Sequence, residues 1–145
     1  MKSRSDQSTP GTPRGLIAMG IFLLFGAVTA SIAGTTLTLP GTPLDRTWSL
    51  NPRAYKELVP FAKVAGPGFL LLGCTLAVAA FGWFRRRLWG WRLAVVLIAT
   101  QVTGDLFNLF RGHALEGIVG ITVAGGLLFY LCGKRVRGAF AAATR

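Results

Sequence analysis

Residues 64–91 read VAGPGFLLLGCTLAVAAFGWFRRRLWGW. An uncharged run of 21 residues ends against Arg85-Arg86-Arg87, with tryptophans on both sides of the arginines. About 20 apolar residues in a helix cross the roughly 30 Å hydrocarbon core of a bilayer. Lys and Arg collect on the cytoplasmic side, and Trp and Tyr at the headgroup level. The stretch therefore reads as the end of one span, a tight basic turn and the start of another, an antiparallel helical hairpin.

Three further apolar runs give the same reading. Residues 15–44 and 117–133 carry no charge, and residues 88–110 carry only Arg92 and Asp105. The chain is 52% hydrophobic with a mean hydropathy of +0.52. A soluble domain of 145 residues with that composition would expose too much apolar surface. The expected fold is an all-α membrane protein of one domain, 15–137. It has four antiparallel transmembrane helices at about 15–34, 65–84, 88–110 and 114–133. Residues 1–14 and 138–145 read as cytoplasmic tails, the first polar and disordered. The run Leu16–Val28 followed by Ser31-Ile32-Ala33 resembles a cleaved signal peptide, but the long, Pro-containing segment before it favours a retained span.

The net charge of +11 raises nucleic acid as a partner, and its distribution argues against it. Eleven of the sixteen basic residues fall at the N-terminus, the middle turn and the C-terminus, opposed there only by Asp6. One side of the expected bundle carries +10 and the other +1. That asymmetry places both termini in the cytoplasm and the protein in a cell inner membrane as a multi-pass chain. The partner implied by the basic face is anionic lipid.

Residues 35–63 form the one substantial external loop. Thr35 to Leu39 either extends the first helix or leaves it as an extended segment, and Pro40-Gly41-Thr42-Pro43 is a turn. Asn51 is a good N-cap and Pro52 suits a first helical position, so a short interfacial helix is expected from Pro52 to about Val59. Trp48 and Tyr55 read as its interface anchors. Trp83, Trp89 and Trp91 read as anchors at the inner headgroup level.

The chemistry on offer gathers in one place. Gln101, Asp105 and Asn108 are spaced four and three apart and share a helical face. Arg111, His113 and Glu116 follow in the next turn. A carboxylate within a membrane segment is costly and raises a functional hypothesis. One reading is a cation or proton relay, or a polar substrate site. The other is structural: a hydrogen bond near the interface, to Asn108 or to a hydroxyl such as Thr36 or Thr38, or a pairing with a basic residue of the long loop. No cofactor is expected. A single histidine without a ligand-spaced partner is a poor metal site, and no nucleophile, acid/base pair or phosphate loop can be named, so the chain does not read as an enzyme. Cys74 and Cys132, at different depths, are expected to be free, buried thiols.

Two small-residue faces complete the picture. Gly26, Ala30 and Gly34 line the first helix; Gly117, Gly120 and Ala124 line the last. Such faces support close helix packing in lipid. They suggest contact with another membrane subunit, or with a second copy, through the first or last helix. The function expected first is a non-catalytic accessory or structural subunit of a membrane complex. The alternative is a small carrier or channel using the Gln101, Asp105 and Asn108 face.

Read together, Pro43-Leu44-Asp45-Arg46-Thr47-Trp48-Ser49-Leu50-Asn51-Pro52 and Gly104-Asp105-Leu106-Phe107-Asn108 give the chain a likeness. So does the ending Leu127-Leu128-Phe129-Tyr130-Leu131 followed by Lys134-Arg135-Val136-Arg137. Over about residues 15–140 it resembles small four-helix bacterial membrane proteins. That resemblance implies the four-helix fold and a bacterial inner membrane, and no activity.

Overall fold

The computed structural model describes residues 14–110 and 114–142, leaving aside the side chains at 107, 108, 116, 135, 141 and 142. The protein is all-helical, with no strand among the described residues. The described residues form six α-helices in order: α1 Arg14–Thr38, α2 Pro52–Leu58, α3 Ala62–Phe84, α4 Leu88–Phe110, α5 Ala114–Cys132 and α6 Lys134–Ala142. The residues 1–13, 111–113 and 143–145, which include the N-terminal tail and the turn bearing Arg111 and His113, lie outside the described residues.

The first helix runs four residues past Gly34. Its threonines are β-branched, yet each returns its hydroxyl to the preceding turn. Thr35 donates to the Ser31 carbonyl at 2.8 Å, Thr36 to Ile32 at 3.0 Å and Thr38 to Gly34 at 2.7 Å. A hydroxyl satisfied in this way stays inside a helix. The chain then turns at Gly41, whose φ of +93° suits glycine. The Gly41 N–H donates to the Asp45 carboxylate at 2.6 Å.

The stretch expected to be a loop is mostly helical. A 3-10 segment, Pro43–Leu50, leads to Asn51, whose Oδ1 accepts from the Ala54 N–H at 3.1 Å and caps α2. Pro60 lacks the N–H that would continue the α-pattern. One 3-10 turn, Val59–Phe61, absorbs that defect before α3 begins at Ala62, three residues earlier than expected.

At the other end of α3, Arg86 takes the left-handed conformation at φ 52°. Its N–H reaches the Trp83 carbonyl at 2.9 Å, and the Arg87 N–H reaches Gly82 at 2.9 Å. This is a Schellman-type stop with arginine in glycine's usual place. It reverses the chain in three residues. Beside it α3 and α4 meet through glycines: a methyl at Gly90 would lie 2.7 Å from the Gly82 Cα and from the Trp83 backbone nitrogen.

The helices associate as two pairs, α1 along α3 and α4 along α5, joined where α3 meets α4. The α1–α3 seam is built from small residues. A methyl at Gly34 would stand 2.7 Å from the Leu70 backbone nitrogen, and one at Gly73 would stand 3.1 Å from the Ala27 carbonyl. The Gly26–Ala30–Gly34 face therefore packs against α3. The same holds for α5, where Gly117 lies against the α4 backbone at Asp105 and Leu109.

The main core sits near the α3–α4 turn. It includes Leu16, Met19, Leu23, Ala79, Ala80, Trp83, Leu131, Val136 and Phe140. This corrects two expectations. Trp83 is buried, so it is not a surface anchor: its indole N–H donates to the Leu16 carbonyl at 2.7 Å and its ring lies 4.7 Å from that of Phe140. Buried indoles seek such a partner. The segment from residue 138, read as a tail, is helical to Ala142 because Val136 and Phe140, one turn apart, insert into that core.

Two helical segments, Arg14–Thr38 and Pro52–Phe84, are long and apolar enough to cross a membrane. Only 33% and 22% of their most apolar windows are buried. The apolar side chains thus point outward as well as inward. Phe129, 85% exposed, and Phe25 and Leu71, also exposed, belong to that outer surface. Cys74 and Cys132 are free and lie on it too, not in the interior as expected.

Candidate functional site

Between the two helix pairs lies a cavity of about 240 Å³. The α1–α3 side contributes Phe22, Gly26 and Leu76. The α4–α5 side contributes Leu97, Gln101, Asp105, Gly120 and Val123. Among the described residues only Gln101 and Asp105 bring polar side chains to the lining. They stand one turn apart on α4, so one helix face presents both.

Asp105 is 7% exposed and is the one charged residue buried among the described residues. Gln101 Nε2 donates to its Oδ1 at 3.1 Å. Its Oδ2 is buried and has no hydrogen-bond partner among the described residues. Thr36, a partner considered from sequence, serves another residue: it accepts from the Trp48 indole N–H at 2.9 Å. Thr38 donates within α1. Asp105 is therefore not the interhelical tie expected from those hydroxyls.

Gly120 explains how a carboxyl group fits here. A methyl on Gly120 would lie 2.5 Å from Asp105 Oδ2 and 2.6 Å from Oδ1. The missing side chain leaves the space the carboxyl fills. From sequence, Gly120 belonged to a partner-binding face. In the fold it is the floor of the polar end of the cavity. Nothing local could reveal this, because residues 105 and 120 are 15 positions apart on different helices.

The other expected site residues fall outside this picture. Arg111 and His113 lie outside the described residues, as do the side chains of Asn108 and Glu116. Among the described residues no group of three or more His, Cys, Asp or Glu side chains is placed to hold a metal. Of the aromatic residues read as anchors, Trp48 packs on Tyr55 with ring centroids 5.2 Å apart, and Trp91 donates its indole N–H to the Leu131 carbonyl at 3.0 Å. Trp91 thus ties α4 to α5. Trp89 is exposed.

Chemically, the site is an apolar chamber with one carboxyl at its end, held by a single amide and with one oxygen unsatisfied. Among the described residues its lining presents no nucleophile and no second acid or base. No protein family, curated protein or solved structure matches this chain.

Proposed function

We propose that this chain is a four-span inner-membrane protein that binds and carries a small, mainly apolar molecule with one polar end. The observation that carries the reading is the buried, half-satisfied carboxyl of Asp105 facing the cavity between the helix pairs. A carboxyl group inside a membrane helix is costly and by default raises a functional hypothesis. A buried acceptor left without a donor costs about 1–3 kcal/mol. A structural role would satisfy both oxygens. A binding role leaves one for the ligand.

The four-span reading rests on lengths and charge. Besides the two long apolar segments, α4 has 23 residues and α5 has 19, or about 35 and 29 Å at 1.5 Å per residue. Both match the hydrocarbon thickness. The outward apolar side chains suit lipid better than water. The charge asymmetry supports an orientation with both termini and the α3–α4 turn on the cytoplasmic side, against anionic headgroups.

The accessory-subunit reading relied on the glycine faces of α1 and α5. Both are occupied within the chain, so the carrier reading is preferred. The test is retention. The full chain is purified into lipid nanodiscs, alongside Val123→Trp, which fills the cavity from its exposed rim. Mass spectrometry of the extracted small molecules should show one compound retained by the wild type and lost from the variant. If the two give identical extracts and the wild type instead purifies with a stoichiometric protein partner, the carrier reading fails.

A further inference from the structure

We infer that the molecule this cavity takes is a lipophilic amine. Its apolar body would sit among Phe22, Leu76, Leu97 and Val123, with its ammonium group against Oδ2 of Asp105. The inference rests on the proposed reading of the cavity as a binding site and adds the charge of the ligand. The unfilled bond, with Asp105 as the carboxylate, is the starting point. Oδ1 is engaged by Gln101 and Oδ2 is open. A carboxylate oxygen only accepts, so the missing group is a donor. An ammonium supplies both the donor and the countercharge, and such charge-assisted bonds are the stronger ones.

The rest of the lining narrows the class. Among the described residues around the cavity there is no Lys, Arg or His. Among those described residues nothing would offset the repulsion between an anionic ligand and Asp105. The remaining wall is aliphatic or aromatic, so the body of the ligand is apolar. The volume of about 240 Å³ exceeds the roughly 150 Å³ of a dry cavity that holds benzene. It has room for an aromatic ring with a short chain. Phe22, Val123 and Gln101 are exposed at the rim, so the cavity opens sideways between the helix pairs. In a bilayer that opening faces lipid, where such amines concentrate.

The test uses the full chain in nanodiscs and three probes of one shape: 4-phenylbutylamine, butylbenzene and 4-phenylbutyrate. Binding is titrated against empty nanodiscs. The amine should bind about tenfold tighter than butylbenzene, equivalent to 1.4 kcal/mol, and the carboxylate should not bind. In Asp105→Asn, butylbenzene should bind as before, and the preference for the amine should shrink to about twofold or less. A second readout needs no variant. A hydrophobic carbodiimide should modify Asp105 in the wild type, and N,N-dimethyl-4-phenylbutylamine, a tertiary amine that the activated carboxyl cannot acylate to an amide, should protect it more strongly than butylbenzene at equal concentration. Equal binding of amine and butylbenzene, equal protection, or an amine preference that survives Asp105→Asn overturns the assignment while the cavity reading stands. If none of the three probes binds, the amine assignment falls. The retention experiment then decides separately whether the cavity is a site for anything else.

Discussion

Replacing Gly120 with alanine should destabilise the protein, and removing the Asp105 carboxyl should reverse the sign. In the fold, the added methyl would lie 2.5 Å from Oδ2, where ordinary contact begins at 3.4 Å. Either the carboxyl swings away from its Gln101 bond or α4 and α5 separate by roughly 0.9 Å, the difference between these distances. Overpacking of this kind costs about 1–3 kcal/mol. Against it stands the intrinsic gain of about 0.8–1.0 kcal/mol when alanine replaces glycine inside a helix. The net for Gly120→Ala alone should be a loss of up to about 2 kcal/mol by these two effects. In an Asp105→Ala background the clash is absent and only the helical gain is left. There Gly120→Ala should stabilise by up to about 1 kcal/mol. The coupling between the two sites is then about 1–3 kcal/mol, as for residues in direct contact. Reversible unfolding of the four proteins in mixed detergent micelles, followed by tryptophan fluorescence, gives the cycle. Additive effects within about 0.5 kcal/mol would refute the placement of the carboxyl against α5.

Gly90→Ala should cost more than a typical surface change, about 2 kcal/mol or more, because the methyl meets the Gly82 and Trp83 backbone, which cannot rotate away; a thermal melt of the purified variant measures it. Trp83→Phe keeps most of the ring but loses the bond to the Leu16 carbonyl, so it should cost about 1 kcal/mol in the same assay. Glu57→Gln should leave stability within about 0.5 kcal/mol and unchanged by salt, because the Arg53–Glu57 pair at 3.3 Å is exposed on both sides.

Much of the helical layout was legible because charge-free runs and basic clusters are local signals. The Asn51 cap and the Gln101–Asp105 pair were legible for the same reason: both are separations of three or four along one helix. What could not be read is which faces meet. These helices are apolar on nearly every side, so their periodicity marks no core face. The Gly26–Ala30–Gly34 and Gly120–Ala124 patterns showed where backbones approach closely, without saying whether the neighbour was internal. The arginines beside Trp83 suggested an exposed anchor, and could not show that its indole is buried with its N–H on the Leu16 carbonyl. Thr35 to Thr38 left two conformations open, and hydroxyl bonds to the preceding turn chose the helix. The tail expected from residue 138 hid Phe140, whose partner Trp83 is far away in sequence.

The central claim is a membrane bundle of four spans that encloses the Asp105 cavity, with the α3–α4 turn and α6 on one side and the Asn51 region on the other. Cysteine accessibility in intact cells tests it most directly. In a Cys74→Ser, Cys132→Ser background, Ser49→Cys and Gly138→Cys each place one thiol at an exposed position, and a side chain at 138 meets nothing within 4 Å. An impermeant thiol reagent should label the cysteine at 49 from outside, and the one at 138 only after the cells are opened. Labelling of both from outside, or of 138 alone, would contradict the account.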